Sequence, residues 1–270
     1  MSVWINGRVA RRIDWRDRGL HYGDGVFETM RIRRGELRLL DLHLERLYAS
    51  CARLAIQAPP EADLRRELVG ASRRRREGVL KLIVTRGPGA RGYRPSGHER
   101  ATRLLALAPL PTFARGVPLA LRICRTRLGC NPALAGMKTL NRLESVLARA
   151  EWSDPRIGEG LMLDHEDRVV CGTMSNVFIR RANLLLTPPV DRCGVAGVMR
   201  RFVLERAASL GLRATESPLR FADLQSADEV FMTNALRGPM PVGAIGRGAS
   251  RRIYREHGAA NALLARLEAR

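Results

Sequence analysis

Four pairs of short apolar runs in this chain are joined by turns of only two or three residues. Parallel neighbours need a crossover of a dozen residues or more, so each pair reads as an antiparallel hairpin. Asn6-Gly7 lies between Val3-Trp-Ile5 and Arg8-Val9, and Arg33-Arg34-Gly35 separates residues 26–32 from 36–40. Further on, His165-Glu166-Asp167 separates residues 160–164 from 168–170, and Ala182-Asn183 separates 176–180 from 184–187. The last four runs read as a meander of strands.

Helical spacing fills much of the rest. Leu44, Leu47, Tyr48, Cys51 and Leu54 follow Asp41, an expected N-cap, and a second helix is expected over about residues 61–75, before a strand over 79–85. A Pro-bearing segment at 108–118 reads as a linker between an N-terminal α+β domain, residues 1–107, and a strand-rich C-terminal domain, residues 119–270. In the second domain a strand over 119–124 precedes a helix with Leu143, Val146, Leu147 and Ala150 on one face. Gly197 opens another helix, with Phe202, Val203, Ala207 and Leu210 on one face and Gly211 at its end, and a strand follows at 229–233.

At 270 residues the chain can bury a core that needs no staples, and its five scattered cysteines lack metal or disulfide spacing, so free thiols and no metal are expected. No apolar run reaches membrane-spanning length and the first residues lack a signal-peptide layout, which points to the cytoplasm. The net charge of +20 raises nucleic acid as a partner. Aromatics at 5% leave few stacking platforms, and the charge is spread along the whole chain, which disfavours that reading. A basic field equally steers a small anionic substrate, and biased base composition yields arginine with no partner at all.

Arginine dominates so thoroughly that of 47 basic residues only Lys81 and Lys138 are lysine. Arginine stays protonated and cannot act as an amine nucleophile or a proton shuttle, whereas lysine can do both. Lys138 falls in a loop before a helix. Gly194-Val-Ala-Gly-Val-Met-Arg200 is a glycine-rich entrance to a helix, a ready anion site, and Thr233-Asn234 ends a strand. Gly87-Pro-Gly-Ala-Arg-Gly92 matches a dinucleotide-binding pattern, but Tyr93-Arg94-Pro95 follows in place of a helix, so a ligand-facing loop presenting Arg91 and Tyr93 fits better. Each feature alone is also an ordinary turn, cap or strand end.

Together they carry a resemblance. Asp17-Arg-Gly-Leu-His-Tyr-Gly-Asp-Gly-Val-Phe-Glu-Thr29, His43-Leu-Glu-Arg46, Thr85-Arg-Gly-Pro-Gly-Ala-Arg-Gly-Tyr93, Asn131-Pro-Ala-Leu-Ala-Gly-Met-Lys-Thr-Leu-Asn-Arg-Leu-Glu144, Ser175-Asn-Val-Phe178 and residues 194–200 resemble the fold-type IV pyridoxal-phosphate enzymes. Within that family, which includes branched-chain and D-amino-acid aminotransferases, the Arg-Gly-Tyr loop and the lysine segment look most like the 4-amino-4-deoxychorismate lyases. The resemblance implies a two-domain homodimer forming 4-aminobenzoate and pyruvate in folate synthesis. It implies that Lys138 holds pyridoxal 5'-phosphate covalently and then moves protons, and that Arg46, the amides of Val198 and Met199 and the Thr233 hydroxyl hold the phosphate. Arg91, Tyr93 and Asn234 would meet substrate carboxylates, with Lys81 assisting. Thr29 and Tyr93 are both candidates for the proton delivered to the departing pyruvate.

One position departs from the pattern. Five residues before the Asn of Ser-Asn-x-Phe the family carries a glutamate that pairs with the pyridine nitrogen, and here that residue is Cys171. A neutral thiol offers only a weak hydrogen bond, and Glu166 and Asp167, in the predicted turn, are not expected to substitute. An aminotransferase on the same scaffold and a pseudoenzyme are the alternatives this leaves.

Overall fold

A computed structural model describes residues 2–113, 116–246 and 251–269. The chain divides into two units, Met1–Phe113 with Met137–Asn141 and Ala114–Gly136 with Arg142–Arg270. Ala114 and Arg115, within the expected linker, lie outside the described residues.

The first unit is an antiparallel six-stranded sheet built from β1 (Ser2–Ile5), β2 (Arg8–Val9), β3 (Gly25–Arg33), β4 (Glu36–Leu37), β5 (Glu77–Thr85) and β6 (Thr102–Ala108), in the order β2-β1-β6-β5-β3-β4. Asn6 and Gly7, with φ of 51° and 80°, make the primed turn that matches right-handed strand twist, and Arg34 and Gly35 repeat it. Helix α1 (Arg18–Tyr22) precedes β3, while α2 (Leu40–Arg53) and α3 (Glu61–Ser72) contribute Leu44, Leu47, Cys51, Leu64 and Leu68 to one core with Met30, Ile32, Leu80 and Leu82 of the sheet. Each such side chain contributes roughly 1.5–3 kcal/mol by burial.

Two boundaries differ from the sequence reading. The N-cap of α2 is Leu39, with φ of 57°, because the short β4 leaves the helix to start at once. Asp41 therefore sits inside the first turn, where it accepts from Arg65. Helix α3 stops at Ser72, whose hydroxyl donates to the Gly35 carbonyl, so Arg73–Arg76 fall outside it. Strand β6 was not anticipated.

The second unit is a ten-stranded sheet with Leu119, Leu121, Leu161, Val177, Ile179, Val230 and Met232 in its core. Its strands are β7 (Leu119–Ile123), β8 (Ile157–Leu163), β9 (Arg168–Gly172), β10 (Asn176–Arg181), β11 (Leu184–Thr187), β12 (Arg213–Glu216), β13 (Leu219–Arg220), β14 (Glu229–Asn234), β15 (Gly238–Ile245) and β16 (Arg252–Ile253). The order is β12-β11-β10-β14-β15-β7-β8-β9-β13, with β16 on β15. The expected hairpins β8-β9 and β10-β11 form, but they do not make one meander, because β10 pairs with β14 and β9 with β13. A buried strand needs a partner on both edges, and for β10 the remote β14 supplies one, with Phe178 stacked on Phe231 directly opposite.

Helices α4 (Leu143–Arg149), α5 (Val198–Arg206), α6 (Phe221–Gln225) and α7 (Gly258–Glu268) complete this unit. The apolar face expected on α4 exists but does not enter the core: Leu143, Val146 and Leu147 are 77%, 60% and 61% exposed, and Ala148 is the buried residue of the helix. Among the described residues no helix is long and apolar enough to cross a membrane.

Candidate active site

In the first unit, strand alternation sends Phe27 and Thr29 to one face of β3 and Val26, Glu28 and Met30 to the other. Thr29 pairs with Lys81 of β5, so these two share the Phe27 face. The segment after Met137 lies along the start of β3, where Phe27 N donates to Lys138 O at 2.9 Å and Leu140 N to Gly25 O at 3.0 Å. Lys138 Nζ stands 4.3 Å from the centroid of the Phe27 ring and Lys81 Nζ 5.0 Å. The only two lysines of the chain thus converge on one aromatic ring, within cation–π range. Lys138 is half-buried and Lys81 exposed.

On the opposite face Glu28 is buried beneath α2. Its Oε1 accepts from Arg46 Nε at 2.8 Å, and its Oε2 from Arg46 Nη2 at 2.5 Å and His43 Nδ1 at 2.6 Å. Burial opposes the charge on Glu28, but Arg46 and then His43 outweigh it and hold the carboxyl at about 2. Burial, Arg46 and Lys138 together push the His43 imidazole below its ordinary range, so it stays neutral and donates through Nδ1. A bidentate fork of this kind fixes the guanidinium plane of Arg46. Neither Glu28 nor His43 was singled out from sequence, although both lie in the runs that carried the resemblance.

Residues 17–24 act as a bracket for the Arg91 loop. Asp17 caps α1 and accepts from Thr85 Oγ1 at 2.9 Å. The buried Arg18 donates to the carbonyls of Gly92 and Tyr93 at 2.8 and 2.7 Å and pairs with Asp24. Gly92 N donates to the Tyr22 hydroxyl, and the Tyr22 and Tyr93 rings lie 5.4 Å apart. Arg91 and Tyr93 are thereby held at the surface on a loop with a defined shape, Tyr93 being 86% exposed.

In the second unit the helix entrance and Thr233 meet around Asn176. Asn176 stands opposite Thr233 in the β10-β14 register, and its Nδ2 donates to Val195 O at 2.9 Å. A Cβ on Gly197 would lie 2.0 Å from Asn176 Oδ1, so only glycine lets the loop rest against this side chain. Val198 and Met199 then begin α5 with no side-chain cap at Gly197. Thr233 is buried and its Oγ1 has no hydrogen-bond partner. A buried unpaired hydroxyl costs about 1–3 kcal/mol, and beside a helix N-terminus it is suited to an anion such as phosphate. Gly136, two residues before Lys138, joins the same loop, donating to Gly194 O and accepting from Ala196 N. Asn176 had no role in the sequence reading, though it belongs to the quoted Ser-Asn-Val-Phe run. Asn234 Oδ1 is engaged by the amides of Leu236 and Arg237, so its oxygen braces the turn after β14.

Cys171 lies on β9 opposite Met162, against the apolar cluster that includes Trp152 and Cys193, and burial pushes its thiol up to about 12. It is therefore neutral at any physiological pH. Glu166 pairs with Arg192 and Arg168, and Asp167 with Arg127, so both are engaged away from it. The carboxylate beneath the turn after Cys171 is Glu159, which sequence reasoning missed. It accepts from Thr173 N, Thr173 Oγ1, Ser175 Oγ and Gly160 N, and so serves the shape of the turn.

Residues 25–245 match the amino-transferase class IV family. The chain is 36% identical over 247 residues to an aminodeoxychorismate lyase of Vibrio harveyi, covering 90% of each chain. It is 44% identical to the 4-amino-4-deoxychorismate lyase of Pseudomonas aeruginosa, covering 99% of this chain and 98% of that one, with a TM-score of 0.94. A hypothetical aminotransferase of Mycobacterium tuberculosis, solved in a PLP-bound form, shares the fold at 23% identity and a TM-score of 0.84, covering 100% of this chain and 98% of that one.

Proposed function

Because the chain belongs to the amino-transferase class IV family, we propose that it is a pyridoxal-phosphate-dependent lyase converting 4-amino-4-deoxychorismate to 4-aminobenzoate and pyruvate. The observation that carries the choice of lyase over aminotransferase is the near-full-length likeness to the Pseudomonas aeruginosa enzyme. Pyridoxal phosphate, when bound, supplies an electron sink conjugated to the amine-bearing carbon of the substrate. Lys138 would hold it, and the orphaned hydroxyl of Thr233, the Val198 and Met199 amides and the oriented guanidinium of Arg46 fit its phosphate.

The remaining work falls to the side chains. Lys138 Nζ takes the proton from the amine-bearing ring carbon, since an amine that can lose its charge is able to act as a base. The Phe27 ring, whose centroid lies 4.3 Å from Nζ, fixes where that nitrogen is presented. Arg91 and Tyr93, on the loop held by Arg18 and Tyr22, receive the substrate carboxylates, with Asn234 and Lys81 as further contacts. Thr29, beside Lys81, or Tyr93 delivers the proton to the leaving pyruvate.

Cys171 supports the same choice. A neutral thiol cannot keep the pyridine nitrogen charged, which penalises aminotransfer more than a reaction in which electrons depart with the enolpyruvyl group while the ring aromatises. The product would serve folate synthesis. The uncovered apolar face of α4 supports a homodimer, and five unpaired cysteines are in keeping with the cytoplasm. The test is turnover of aminodeoxychorismate by the cofactor-loaded protein, read as 4-aminobenzoate, beside amino-acid and keto-acid pairs. Faster transamination than lyase turnover would overturn the proposal.

A further inference from the structure

Cysteines 130 and 193 are far apart in sequence and belong to no spacing motif, yet the second unit brings them together. Cys130 Sγ, Cys193 Sγ and a carboxylate oxygen of Asp164 all lie within 4.8 Å of one another. Cys130 is exposed and Cys193 buried. Their backbones are tied alongside, Asn131 N donating to Arg192 O at 2.8 Å. The pair therefore combines a solvent-facing thiol with a sheltered one in reach of it, the layout of an attacking and a resolving cysteine.

The third member is already committed. Asp164 Oδ1 accepts from the amides of Glu166 and Arg168, and Oδ2 accepts from Arg168 Nε at 2.8 Å. A carboxylate neutralised by a guanidinium has little charge left for a cation, which favours sulfur–sulfur chemistry over metal binding at this cluster.

We propose that Cys130 and Cys193 are a redox-active dithiol that closes to a disulfide on reaction with a low-molecular-weight disulfide such as oxidised glutathione. The Cys130 thiolate attacks one sulfur of the oxidant, whose S–S bond breaks and releases one glutathione thiolate. Cys193, losing its proton, then attacks Cys130 Sγ and expels the second glutathione thiolate. The two cysteines are oxidised to cystine, the oxidant is reduced to two thiols, and the two cysteine protons end on those thiols. Burial pushes the Cys193 thiol up to about 12, so it attacks only after giving up its proton.

Closure has a defined consequence. Cys193 immediately precedes the loop from Gly194 to Gly197 that leads into α5, and Cys130 opens the segment whose Gly136 is hydrogen-bonded to that loop. A covalent link between the two restrains the loop that presents the Val198 and Met199 amides and should slow release of a phosphate held there. This second part rests on the cofactor assignment above, whereas formation of the bond does not.

The experiment treats holoenzyme with oxidised glutathione and reads intact mass, peptide maps and cofactor release on dilution. The expected result is a mass lower by two hydrogens, a peptide cross-linked between Cys130 and Cys193, and cofactor release slowed severalfold. Cys193→Ser should instead stop at one stable glutathione adduct on Cys130, and Cys130→Ser should gain neither cross-link nor adduct. No cross-link under conditions where Cys193→Ser is fully glutathionylated would overturn the dithiol, as would stoichiometric zinc retained by the purified protein and lost in either variant. A cross-link that leaves cofactor release unchanged would overturn the loop restraint. Lyase turnover of the reduced enzyme is a separate measurement, so failure of the functional assignment is distinguishable from failure of either part.

Discussion

Replacing Thr233 with valine should move apo stability and cofactor affinity in opposite directions. Valine has nearly the shape of threonine, so the packing between β10, β14 and β15 is kept while the hydroxyl is lost. In the protein without cofactor Thr233 Oγ1 is buried and unpaired, so its removal should stabilise by about 1 kcal/mol. For a chain of this size that is an upward shift in Tm of roughly 2–4 °C. On the proposed assignment the same hydroxyl donates to the cofactor phosphate, a charge-assisted hydrogen bond contributing about 1.5–3 kcal/mol, so affinity should fall roughly ten- to hundredfold. Melting of the apo protein and a titration with pyridoxal phosphate read the two effects separately. A variant that melts lower as apoprotein and binds pyridoxal phosphate as wild type does would show that the hydroxyl serves the fold, and the phosphate site would have to be moved.

Borohydride treatment of the holoenzyme followed by peptide mapping should mark Lys138, and a label on Lys81 would reverse the roles of the two lysines around Phe27. Arg91→Ala should raise KM for substrate far more than it lowers cofactor occupancy, and Arg46→Ala should do the reverse; occupancy assays paired with steady-state kinetics decide this. Cys171→Glu should raise side transamination of simple amino acids by a larger factor than lyase turnover, and a wild type no faster than Lys138→Ala, rescued only by the glutamate, would identify a pseudoenzyme. Glu28 is held at about 2 against an ordinary 4.5, so it favours the folded state above about pH 4.5 and that contribution is lost as pH falls toward 2. Depression of His43 acts with the same sign from about pH 6.5 downward, so Glu28→Gln should flatten the acid limb of a stability profile that chemical denaturation can follow.

The hairpins, the helix entrance at Gly197 and the singular lysines were legible in the sequence because each is set by neighbours in the chain. A two-residue turn needs positive φ, a helix start needs a free approach, and an arginine-rich chain leaves its two lysines visible. Strand partners were not legible. That β10 lies against β14 and not β9 depends on which remote edge completes a buried strand, which no local pattern encodes. The exposed face of α4 shows the same limit, since periodicity marks an apolar stripe but cannot say what covers it.

The site divides along the same line. Lys138, Arg46 and Thr233 could be proposed from sequence through the family resemblance, but the surroundings that suit each to its proposed role are tertiary. Arg46 is oriented by Glu28, 18 positions away. Thr233 is left with an orphaned hydroxyl because Asn176, its neighbour across the sheet, is turned toward the loop at Val195. Cys130 and Cys193 become a pair only when the strands between them have folded. Local chemistry is written residue by residue, whereas hydrogen-bond partners, burial and the shifts in pKa that follow from them depend on which distant segments the core brings into contact.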